Sequence, residues 1–100
     1  MVEIRWADPA LRQLDEILEY IALDKPQAAF SVAGRVFQGV GRLRHFPLSG
    51  QKIPEFSHPA YRRLWCKPCW VYYRIEPKVV YVLHVRRGEG LFRVEELLVD

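Results

Sequence analysis

One hundred residues, half of them apolar and 13% aromatic, are enough for one hydrophobic core and exclude a disordered chain. The net charge is only +3 but unevenly spread: residues 1–24 carry six acids and two bases, residues 25–74 nine bases against Glu55 alone, and residues 75–100 five acids and four bases. No apolar run approaches the ~20 residues that span a bilayer, and the N-terminus has no signal-peptide apolar region, so one cytoplasmic domain over residues 1–100 is expected.

Val2, Ile4 and Trp6 alternate with Glu3 and Arg5, which predicts a strand over 2–6. Asp8-Pro9 predicts a helix over 9–23, with Asp8 as its cap and Pro9 in the first turn, where a missing N–H costs nothing. Leu11, Leu14, Ile17, Leu18 and Ile21 form its apolar stripe. Asp24-Lys25-Pro26 breaks it and starts a second helix over 26–45, with Ala29, Val32, Ala33, Val36, Phe37, Val40 and Leu43 on the buried side. Ala28, Ala29, Ala33 and Gly34 allow close approach, and the short connection requires an antiparallel hairpin. After Phe46-Pro47 a loop over 47–60 leads to strands over 61–66, 70–75 and 79–85. The last is apolar on both faces and is expected to be central. Arg86 to Gly90 read as a polar turn and 91–99 as a short helix or strand. The pattern is α+β: an N-terminal strand, a helix hairpin, then three antiparallel strands, with the helices packed on one sheet face. The other face is left partly open.

Arg62, Arg63, Arg74, Arg86 and Arg87 fall on the sheet or its rim, and guanidinium forks bind phosphates and carboxylates in pairs of hydrogen bonds. With Lys52, they suit an RNA backbone or an acidic partner helix. His84 is the histidine best placed for proton transfer, at the same parity as Val80, Val82 and Arg86, although a histidine closing the core edge through one hydrogen bond is the simpler role. Cys66-Lys67-Pro68-Cys69 sits at a predicted hairpin turn, not at the helix N-terminus that a redox pair needs. It lacks the further ligands of a zinc site. A strained cross-strand disulfide is the one chemistry left to it. No metal, cofactor, nucleotide loop or hydrolase triad is expected.

Asp8-Pro9-Ala10, Tyr20-Ile21-Ala22, Pro26-Gln27-Ala28-Ala29, Phe46-Pro47-Leu48-Ser49-Gly50, Tyr61-Arg62-Arg63-Leu64, Tyr73-Arg74-Ile75 and Val82-Leu83-His84-Val85-Arg86-Arg87 follow one another in an order that resembles the ParE/RelE family of small bacterial toxins. The likeness is closer to the ParE branch. It implies a toxin of a type II toxin–antitoxin module, neutralised by a small ParD-like antitoxin in a hetero-oligomer. The ParE branch acts on DNA gyrase, and the RelE branch cleaves messenger RNA on the ribosome with basic residues and often a late tyrosine. Here Arg62 stands for a RelE-branch lysine, Leu64 fills the next basic position, Trp70 replaces an arginine, and no tyrosine follows Tyr81. The chain therefore reads as a binder, with Arg62, Arg63, Arg74, Arg86 and Arg87 facing target or antitoxin. The runner-up is a metal-independent ribonuclease using Lys52, Arg62, His84 and Arg86. A non-toxic antitoxin-binding relic is the third reading.

Overall fold

A computed structural model of the chain describes residues 1–88 and 93–98. In chain order it has β1 (Glu3–Trp6), α1 (Asp8–Asp24), α2 (Pro26–Arg42), β2 (Gln51–Lys52), β3 (Tyr61–Cys66), β4 (Cys69–Ile75), β5 (Val79–Arg87) and a 3₁₀ turn, Val94–Leu97. The strands form one sheet in the order β1-β5-β4-β3-β2, antiparallel except for β1 against β5. β5 has neighbours on both sides, as its apolar composition requires.

The helix hairpin covers one face. Ala10 and Leu14 from α1 and Val32, Val36 and Val40 from α2 meet Cys66, Cys69, Val71, Val82 and Val85, with Leu18 and Ile21 packed against them. Each large apolar side chain buried there contributes roughly 1.5–3 kcal/mol. Pro26 opens α2 at its first turn as expected, but Asp8 lies inside α1, and Ala7 is the capping residue with no side-chain bond. Asp8 thus stabilises the helix by its charge near the N-terminal dipole and not as a cap. α2 ends at Arg42, short of residue 45, and its last residues continue as turns. Phe37, expected in the core, is half exposed and packs on Trp6 at 5.3 Å.

The other face is less open than its sequence suggests. Ile53 and Phe56 fold back over it from the loop, Leu97 from the 3₁₀ turn, and together they bury Tyr72. β2 is a strand of two residues that the sequence does not announce. It pairs Gln51 with Arg63 and Lys52 with Arg62. β5 runs through Arg86 and Arg87, which the sequence placed in a turn, and residues 89–92 and 99–100 lie outside the described residues.

Candidate functional site

Alternation along β3 and β5 divides the five arginines between the two faces of the sheet. Cys66 and Leu64 face the helices, and Arg62 shares their parity. Its guanidinium donates to the Gly50 carbonyl at 2.9 Å, and its buried Nε meets no acceptor among the described residues. Arg62 therefore anchors the loop. It works beside Tyr73, whose hydroxyl donates to the Pro47 carbonyl at 2.8 Å and accepts from the Gly50 amide at 3.0 Å. A side chain at Gly50 would run into that hydroxyl and the Arg63 carbonyl, which explains why the segment 46–50 ends in glycine. Burial raises the Tyr73 pKa, against the Gly50 amide bond and Arg62. Arg87, in register with Cys69, also faces the helices and lies 5.5 Å from the Tyr20 ring of α1.

Arg63, Arg74 and Arg86 occupy the opposite face. Arg63 lies 3.9 Å over the Trp70 ring and donates to Gln51 at 2.9 Å. Arg74 pairs with Glu76 at 3.0 Å and lies over Tyr81. Arg86 donates to the Tyr72 hydroxyl at 3.0 Å and to the carbonyls of Arg87 and Gly88. Arg74 and Arg86 thus spend much of their hydrogen-bonding capacity on the fold, whereas Arg63 commits its Nε.

A bulge decides where His84 points. Tyr72 opposes His84 but Tyr73 opposes Val82, so Leu83 is an extra residue in β5. Val82 and Val85 consequently both reach the helix-side core, and His84 falls on the other face from Val82, contrary to its sequence parity. It is 6% exposed, against the Tyr72 ring, with Nε2 3.1 Å from the Glu96 carboxylate. Burial lowers its pKa, opposed by Glu96 and reinforced by Arg86. Lys52 is exposed at the far edge, in register with Arg62. The four candidate ribonuclease residues are thereby separated: Arg62, with Lys52 beside it, on the helix side and His84 and Arg86 on the other.

Cys66 and Cys69 are directly opposed across the turn, both buried and both in the thiol form, with no disulfide between them. Burial, then Cys69, pushes the Cys66 thiol up to about 11, against the pull of Arg42. Such a thiol is a poor nucleophile and metal ligand. Among the described residues no group of three His, Cys, Asp or Glu could hold a metal ion.

The outer side of the helix hairpin carries an apolar groove with Glu19 in its lining. The groove, of about 430 Å³, runs between Leu18, Ala22, Pro26, Ala29, Phe30 and Ala33. Phe30, in its lining, is 79% exposed. Neither periodicity nor motif singled this surface out. The available signal was Phe30 itself, a large aromatic lying off the buried stripe of α2.

The family model described as the ParE toxin of the type II toxin–antitoxin system parDE matches residues 4–92. The chain belongs to the ParE toxin family. A solved structure titled "Chromosomal ParDE TA system from P. aeruginosa" superposes with a TM-score of 0.72 at 25% identity, over 89% of this chain and 98% of that one. A protein of Sinorhizobium fredii (strain NBRC 101917 / NGR234) named "Putative toxin Y4kP" is 48% identical over 48 residues, 48% of this chain. The match spans about half the length of that relative, 50%. The ParE assignment fits the fold of two helices on a five-stranded sheet. No helix among the described residues is long and apolar enough to cross a membrane.

Proposed function

We propose that this ParE-family protein is a cytoplasmic toxin that acts by binding, with DNA gyrase as its target and a ParD-like antitoxin as its inhibitor. The observation that carries the binding mode is the separation of Lys52 and Arg62 from His84 and Arg86 by the sheet. General acid–base catalysis needs its groups within hydrogen-bond reach of one substrate, and two residues facing the helices cannot join two on the far side. The family membership supports the toxin role, and the ParDE neighbour supports an antitoxin partner, while gyrase is what the resemblance to the ParE branch implies.

The antitoxin is expected to lay an amphipathic helix into the apolar groove between α1 and α2, covering Phe30. Induction in a bacterial host tests the whole reading. DNA damage and SOS induction with intact messenger RNA are expected. Early loss of full-length messenger RNA would favour the ribosome-dependent ribonuclease, and unimpaired growth would favour the relic.

A further inference from the structure

The β3–β4 hairpin tip carries a second surface. Trp65 is 48% exposed, yet it is held on two sides: its ring packs on Trp70 at 4.8 Å, and its far edge lies against Gly88, where a β-carbon would sit 3.0 Å from the indole. Trp70 is backed in turn by the Arg63 guanidinium at 3.9 Å. A large indole fixed in this way presents a rigid π-surface to solvent and loses little entropy when something stacks on it.

The charge around the tip has one sign. Lys67 is exposed in the turn itself, Arg35 reaches across from α2 to donate to the Lys67 carbonyl at 2.8 Å, and Arg63 flanks the rings. Among the described residues none of these three cations has a carboxylate within ion-pairing distance. By contrast, Arg5 and Arg74 elsewhere on the sheet pair with Glu3 and Glu76. The tip thus combines a presented aromatic face with uncompensated cations on either side of it, on the stretch with nine bases against one acid.

We propose that the β3–β4 hairpin tip binds single-stranded nucleic acid, with a base stacked on Trp65 and phosphates held by Arg63, Lys67 and Arg35. Any base offers a π-face, so such a site is tolerant of sequence. An acidic peptide would use the cations but gains less from a flat, exposed indole, and this favours the nucleic acid. The site goes beyond the toxin reading and stands or falls separately from it.

The test is fluorescence anisotropy of labelled oligo-dT and oligo-rU of about 12 nucleotides, within the usual site sizes, titrated with the purified full chain. Binding is expected at ~50 mM salt, with log K falling against log salt at a slope of about −2 for three phosphate contacts on a single strand. Trp65→Ala should weaken binding about 5- to 100-fold and Trp65→Phe far less. Lys67→Gln should flatten the salt slope while leaving melting unchanged, since its side chain is exposed in the turn, and this variant decides the matter if Trp65→Ala fails to fold. The dT and rU arms separate a DNA from an RNA ligand. No binding by ~100 μM protein at ~50 mM salt, weaker than ordinary non-specific affinities, would overturn the proposal. So would binding indifferent to Trp65→Ala in a folded variant, or displacement by polyglutamate as readily as by unlabelled oligonucleotide.

Discussion

Four side chains show how context assigns a role to a residue type. Tyr73 is fully buried, and its hydroxyl serves Gly50 and Pro47 at once. Tyr73→Phe strands the buried Gly50 amide and a half-buried carbonyl, at a cost of ~1–3 kcal/mol. Urea unfolding should show this as a lower midpoint at unchanged slope, and an unshifted midpoint would deny the hydroxyl its structural role. His84 shows the same logic in its titration. Its pKa lies below the ordinary 6.5 because of burial, so the unfolded chain takes up the proton first as pH falls. The stability tied to His84 is complete above the unfolded value and is lost as pH falls through the lower, folded one. Melting temperature should drop as the pH is taken from about 7.5 to about 5, and His84→Gln should reduce that dependence. A variant with the wild-type slope would place the titration elsewhere. Cys66 and Cys69 sit in the helix-side core, and burial holds the Cys66 thiol at about 11. Neither is expected to react readily with a disulfide reagent in the native state.

Among the elements, α2 and β3 meet most closely at Gly39. A β-carbon there would lie 2.6 Å from the Cys66 sulfur and 3.4 Å from the Leu64 side chain. The glycine that weakens α2 by ~1 kcal/mol relative to alanine is thus what lets the helix lie flat on the sheet. Gly39→Val should overpack the interface and cost ~1–3 kcal/mol or more, while Gly34→Ala, with nothing within 4 Å, should be neutral or stabilising. Paired thermal melts of the two variants check this, and equal effects would contradict the packing. The β5 bulge is the other decisive element feature. One additional residue at Leu83 returns Val85 to the core and sends His84 to the opposite face.

On the scale of the molecule, the toxin reading predicts that His84→Gln, if folded, leaves growth arrest nearly intact, because no proton transfer depends on a buried histidine. A catalytic acid or base would be worth ~10²–10⁴-fold in rate. Growth after induction, with protein levels matched and messenger RNA integrity followed, separates these outcomes. Phe30→Glu should leave the monomer folded, since Phe30 is 79% exposed, yet abolish protection by co-expressed antitoxin. Retained protection would move the antitoxin off the helix hairpin. The fold was largely legible in the sequence because periodicity records which face of each element is buried: Leu14, Val36 and Val40 fall where their stripes put them. The order of the short segments from Asp8 to Arg87 likewise pointed to the family. The candidate site was less legible. Alternation gives the face of a residue only while register holds, and the Leu83 bulge breaks it just before His84 and Arg86. No local pattern announces that Arg62 is spent on Gly50, or that Ile53 and Leu97 cover Tyr72. Those are contacts between residues distant in sequence, fixed only when the sheet assembles and the loop folds back. Periodicity and turn chemistry therefore settled the elements, and tertiary packing alone decided which charged groups remain available to a partner.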